Sequence, residues 1–353
     1  MVPYYLYLLI LLGKETTKTM ERNNNFNFMR LIFAFMVVYS HSYGLLTLPE
    51  PHFLGRTLGN LAVHCFFVLS GYLITISYLN SKNTIDFFKK RALRLIPAFL
   101  IAYFLSRTLS SVFNKFIDNP VPYIFNGTIW TLSWEVLAYV ICALIGFAGI
   151  LTPSILGAFW ITSYVYIIIN YGSSSPTYQV IVPMLFLFLS GGFIAVNEQK
   201  LKLTSSGLIS ILVLSILAFI PELPKRVINT LYWLYGPEFP QEAINYFLYL
   251  MLLPLAIIYL GKYIPLILKA KNDISYGVYI YAWPIQQTII FLFLRNNVSL
   301  HPLLLFALSS IITAITSYFS WRFIEKPALS LKQVKLSNLF SNKDVERSGT
   351  HTH

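Results

Sequence analysis

Four titratable or charged side chains fall well inside long apolar runs: His41 in the first, His64 in the second, Arg107 in the third and Glu135 in the fourth. Each is a candidate for chemistry, because a charge in the hydrocarbon layer costs roughly 3 kcal/mol or more unless it is paired or faces water. An imidazole titrates near neutrality and can take a proton from a hydroxyl. A carboxylate beside it can orient the ring or hold its charged form. A second group is cationic: Arg30 at the start of the first run, and Lys89, Lys90, Arg91 and Arg94 ahead of the third. Guanidinium forks grip phosphate bidentately and lysine adds point charge, so these residues suit a cytosolic polyanion. Arg30 and His41 lie on one helix about 16 Å apart, so one end can meet an anion while the other faces an outer acceptor.

These groups need helices to hold them. Of the 353 residues, 56% are hydrophobic and only 11% charged, against roughly 25% charged in a soluble domain. Ten apolar runs approach the length of about 20 residues that spans a bilayer. They lie near 28–47, 59–79, 94–113, 128–148, 150–170, 178–196, 206–220, 244–261, 274–294 and 301–323. Strand-like alternation is missing, so the fold class is all-α, a polytopic membrane helical bundle of about ten transmembrane helices. Most of the 26 Lys and Arg fall in alternate loops, which places both termini in the cytoplasm. Counted down from the outer helix ends, His41, His64, Arg107 and Glu135 all sit about 7–10 Å deep. A shared polar layer is expected if the first four helices are neighbours. The plain alternative is a buried Arg107–Glu135 ion pair, with both histidines hydrogen-bonded to backbone or serine.

The remaining features set limits. Cys65 and Cys142 both sit in apolar runs, so no disulfide framework is implied. The net charge of +12 is scattered at helix edges and forms no basic domain for nucleic acid. His41 and His64 have Glu135 as the one further ligand, too few for a metal site. Residues 1–24 read as an N-terminal extension, with Met1 or Met20 as the start, 25–330 as the membrane domain and 331–353 as a polar cytoplasmic tail.

Four ordered motifs then carry a resemblance. The first run holds Arg30 and His41 separated by ten residues, and the second reads His64-Cys-Phe-Phe-Val-Leu-Ser70-Gly71-Tyr-Leu-Ile. The loop that follows reads Lys90-Arg91-Ala-Leu-Arg94-Leu-Ile-Pro97, and the fourth run opens Trp130-Thr-Leu-Ser133-Trp134-Glu135. Together they resemble the acyltransferase-3 family of polytopic membrane O-acyltransferases, over about residues 25–330. Glu325-Lys326-Pro327 resembles the family's closing element and reads as a helix stop with an ion pair. In one place the chain departs from the family: Ala282 stands where Ser275-Tyr276-x-x-Tyr279 is often followed by histidine.

The resemblance implies transfer of an acyl group, acetyl by analogy, from cytosolic acyl-CoA to a hydroxyl of a surface polysaccharide, lipid-linked sugar or similar acceptor. The setting it implies is a bacterial cytoplasmic membrane. Acetyl-CoA or another acyl-CoA would be a co-substrate, with no permanently bound cofactor. His41 is then the expected base and Glu135 its partner. Arg30, His64, Ser70, Arg91, Arg94, Arg107 and Trp134 are the expected substrate-binding residues. Direct transfer and an acyl-enzyme on His41 or Ser70 both remain open. Ser70-Gly71 also suits close helix packing, and Trp130 and Trp134 suit anchoring at the membrane interface. A transporter or flippase for a lipid-linked sugar is the competing class, since polar side chains in a bundle can also line a path. A sensory or scaffold protein would have no use for the buried His, Arg and Glu.

Overall fold

A computed structural model describes residues 24–224, 226, 241–265 and 272–333. The extension as far as residue 23, the tail from 334, and Lys269 and Lys271 of one basic loop lie outside the described residues. Ten principal helices are described, matching the ten predicted runs: α1 Phe26–Gly44, α2 Leu58–Leu79, α3 Thr84–Val112, α4 Ile129–Phe147, α5 Pro153–Ile169, α6 Val182–Asn197, α7 Leu203–Phe219, α8 Gln241–Lys262, α9 Ser275–Arg295 and α10 Pro302–Ser320. A short α11, Lys326–Ser330, follows α10. Seven spans are long and apolar enough to cross a membrane, α6 among them once the helical turn from Thr177 that precedes it is included, while α5 and α7 are shorter. The chain is a polytopic helical membrane protein. Its one pair of strands among the described residues, β1 His52–Phe53 and β2 Arg56–Thr57, forms a small hairpin between α1 and α2. Leu54 and Gly55 both adopt positive φ at its turn, the geometry a tight two-residue hairpin requires.

Helix ends follow local chemistry. Thr57, Asn83 and Thr152 cap α2, α3 and α5 by accepting a hydrogen bond from a backbone N–H three residues on, which satisfies an otherwise orphaned donor. The helix α3 starts ten residues before the apolar run does, because its first turns carry Asp86, Lys89, Lys90 and Arg91. An apolar window misses such a polar extension, yet the Lys90–Asp86 pair at 2.6 Å supports it across one turn.

The helix α2 is the centre of the bundle, packing on α1, α4, α6 and α8, while α9 packs on α10, α1 and α3. Contact between α2 and α6 is the closest. A Cβ on Gly71 would collide with the Phe188 carbonyl, and one on Gly191 with the Val68 carbonyl. Small residues thus let the two backbones touch, as helix pairs in membranes require.

The connection between α3 and α4 plunges inward. Asn119 donates to the Gln287 carbonyl at 2.9 Å, Asn126 to the Ile280 carbonyl at 2.9 Å, and Gln287 to the Val121 carbonyl at 2.7 Å. Gln287 and Ile280 both belong to α9, so the buried amides of Asn119 and Asn126 anchor the connection to that helix, while Lys115, Asp118 and Tyr123 stay exposed. The consequence for the site is that α4 begins well below the outer end of the bundle.

Candidate active site

A cavity of about 580 Å³ opens among α1, α2, α3, α4 and α9. Of the residues singled out in the sequence, Arg30, Ser70, Arg91, Arg94 and Glu135 line it, joined by Lys90. Its basic rim comes from the first turns of α1 and α3, at the end of the bundle where positive residues concentrate.

Asp273, just before α9, organises the rim. Its Oδ2 is 3.4 Å from an Arg30 guanidinium nitrogen and pairs also with Arg94, while Oδ1 accepts from Ser275 Oγ at 2.5 Å. Burial alone would raise its pKa, but Arg94 and Arg30 win and hold the carboxyl below its ordinary range. Arg91 donates to Ser77 Oγ at 2.9 Å, and its Nε is buried without a partner. Asp273 positions two arginines without neutralising the group, because Arg91 adds further positive charge and Lys90, paired with Asp86, stands beside it. Such a rim fits a phosphate-bearing ligand. Sequence reading missed Asp273; the available signal was a lone acid two residues ahead of the Ser275-Tyr276 pair.

Deeper in the cavity, Ser70 Oγ donates to Glu135 Oε1 at 2.6 Å, and the Tyr139 hydroxyl donates to the same oxygen. Above them, Thr131 shares a hydrogen bond with the Tyr279 hydroxyl, and Phe66 packs edge-on to Tyr279. Those three side chains bound the cavity toward the outer half of the bundle.

The expected four-residue layer does not form. Contacts of Phe26 with Tyr72, of Phe33 with Phe66 and of Gly59 with Ser40 fix the register of α1 against α2. The Ser70–Glu135 bond fixes α4 against α2, which sets Glu135 level with the Arg30 turn of α1. His41 therefore lies about 16 Å farther along the bundle than Glu135. Equal depth requires that every helix start in one plane, whereas the α3–α4 connection, anchored to α9 through Asn119 and Asn126, starts α4 lower. Glu135 is consequently not placed to orient His41.

The other three residues of that expectation are also elsewhere. His41 packs edge-on to Trp283, with ring centroids 5.0 Å apart, and its buried Nδ1 has no partner. His64 is buried behind the cavity wall, with Nδ1 2.7 Å from the Tyr249 hydroxyl. Arg107 is exposed and lies over the Phe125 ring at 5.7 Å, so the alternative ion pair with Glu135 is absent too. Trp134 packs against the main apolar core and does not line the cavity. Glu325, expected to pair with Lys326, instead accepts from Ser320 Oγ at 3.2 Å, and Lys326 lies over the Trp321 ring. No cluster of potential metal ligands occurs among the described residues.

Comparison with known proteins places the chain as a whole. The acyltransferase domain of the acyltransferase-3 family matches residues 23–322. The chain belongs to that family. This acyltransferase is 30% identical over 358 aligned residues to an O-acetyl transferase of Shigella phage Sf6, covering 90% of the chain and 99% of the phage protein. It is also 30% identical over 160 residues to Nodulation protein 10 of Rhizobium leguminosarum bv. viciae, covering 42% and 43% of the two chains. No solved structure matches. An acyltransferase needs a site for a donor and a group that activates an acceptor. In this acyltransferase the cation-rimmed cavity and His41 occupy successive levels of the same bundle.

Proposed function

We propose that this acyltransferase moves an acetyl or related acyl group from cytosolic acyl-CoA to a hydroxyl of a surface polysaccharide or lipid-linked sugar. Support for the donor comes chiefly from one observation: Arg30, Lys90, Arg91 and Arg94 converge on a single cavity. In this reading the nucleotide phosphates lie against those cations, and the pantetheine arm runs past Ser70 and Glu135 toward Tyr279. Support for acetyl, and for oxygen as the acceptor atom, is the printed name of the phage relative. The basic end of the bundle faces the cytoplasm, and both termini lie on the cytoplasmic side of a bacterial inner membrane.

The reaction balances without a cofactor. His41 takes the proton from the acceptor hydroxyl, whose oxygen attacks the thioester carbonyl. The carbon–sulfur bond breaks, and the proton passes to the departing CoA thiolate. The span of about 16 Å from Arg30 to His41 is the distance that the pantetheine arm has to bridge. Glu135 serves the path of that arm by fixing Ser70 and Tyr139.

A second route runs through an acyl-Ser70 intermediate, and the 2.6 Å Ser70–Glu135 contact favours it, since that is the reach of a nucleophile from its base. The test is mass analysis of surface glycans from cells with the gene, without it, and with His41→Ala or Ser70→Ala. Direct transfer predicts that a hydroxyl-linked ester disappears without the gene and with His41→Ala, yet survives Ser70→Ala. Loss with Ser70→Ala and retention with His41→Ala would favour the serine route. No gene-dependent ester at all would refute the proposed activity.

A further inference from the structure

A second polar cavity, of about 350 Å³, lies at the opposite end of the bundle from the basic rim. Its lining comes from Arg56 in the hairpin, from the α5–α6 connection, and from Tyr246 near the start of α8. We propose that it binds a sugar ring of the acceptor glycan, an inference that rests on the acyl-transfer reading and names where its acceptor is held.

Aromatic faces and exposed amides converge there. Arg56 lies over the Tyr246 ring at 4.3 Å. A guanidinium covered on its face keeps its in-plane N–H groups free to donate. Tyr171 packs on Tyr246 at 6.0 Å and on Phe247 at 5.3 Å, and the 37% of it that stays exposed offers aromatic surface to an apolar sugar face. Asn170 and Gln179 direct their amide N–H groups to the backbone carbonyls of Tyr166 and Ser173. Their amide oxygens therefore remain as acceptors for sugar hydroxyls. A pocket that mixes donors, acceptors and tyrosine faces matches a polyhydroxylated ring better than it matches a lipid tail, for which it has too many polar groups.

Position supports the same assignment. Arg56 and Thr57 lead directly into α2, and Gly59 touches Ser40, the neighbour of His41. A glycan held at Arg56 is thus at the level of the His41 turn, on the far side of α2. A chain of several sugars can reach from one to the other.

The experiment uses the purified full chain in detergent on an array of bacterial polysaccharide fragments, with radiolabelled acetyl-CoA binding measured in parallel. Wild type is expected to bind a subset of glycans. Arg56→Gln and Tyr171→Ala should each weaken that binding at least tenfold while leaving acetyl-CoA binding unchanged. Arg94→Gln should do the reverse. Gln179→Ala, an exposed side chain in the helical turn Thr177–Ile181 ahead of α6, guards against misfolding and should weaken binding severalfold. Absence of glycan binding by wild type, or equal binding by all variants, would overturn the inference. Loss of acetyl-CoA binding by wild type would instead count against the donor reading.

Discussion

Ser70 on α2 donates to Glu135 on α4 at 2.6 Å, and Tyr139, one turn below Glu135, donates to the same oxygen. That three-residue knot closes one wall of the cation-rimmed cavity and sets the height of α4. A hydrogen bond to a charged acceptor contributes about 1.5–3 kcal/mol. Glu135→Ala should therefore destabilise the protein by about 2 kcal/mol and weaken donor binding, whereas Ser70→Ala should cost less. Thermal unfolding in detergent, with and without CoA, checks both.

Asp273 should act on stability and affinity in opposite directions. Replacing it with Asn leaves Arg30 and Arg94 side by side without their carboxylate. The free protein should then melt lower, and CoA should raise the melting temperature by more than it does in wild type, because a ligand that binds only the folded state stabilises it by linkage. Equal shifts in the two proteins would contradict the assignment of the rim to phosphate.

The pH dependence of stability follows from the same residue. Its folded pKa is held below the free value of 3.8 by Arg94 and Arg30. Ionised Asp273 therefore contributes its full stability above that free value, and the contribution is lost as pH falls below it toward the folded pKa. Wild type should lose stability more steeply than Asp273→Asn as pH falls below 3.8, which melting curves across that acid window will show.

Close packing makes Gly71 intolerant of a side chain. Its Cβ would meet the Phe188 backbone carbonyl, which cannot step aside. Gly71→Ala should cost about 1–3 kcal/mol or more through overpacking, read as lower folded yield and melting temperature. Ala282→His, which puts a histidine where the resemblance led one to expect it, should be similarly costly. Ala282 is buried in a tight cluster with Ala34, Val38 and Val278, and the substitution should not raise activity.

The sequence makes the helices legible because lipid demands long apolar runs, and all ten reappear with shifted ends. The basic rim is legible for a related reason: arginine and lysine beside such runs are few and their side is constrained. Relative depth is not legible. Glu135 looked level with His41 because nothing local in residues 113–128 announces that Asn119 and Asn126 will bury their loop against α9. His64 looked reactive, but its partner Tyr249 comes from a helix 185 positions away. Asp273 was hidden for the converse reason, as a short polar segment whose role exists only once α1 and α3 are beside it.

The central claim is a division of labour, with Arg30 and Arg94 holding the donor and His41 activating the acceptor. The most direct measurement uses protein in vesicles with radiolabelled acetyl-CoA, scoring donor binding and ester formation separately. His41→Gln should keep donor binding near the wild-type level and lower ester formation by about 10²–10⁴-fold, the usual contribution of a general base. Arg94→Gln should lose binding first. Ester formation by His41→Gln at the wild-type rate, or donor binding indifferent to Arg30→Gln and Arg94→Gln together, would contradict the account.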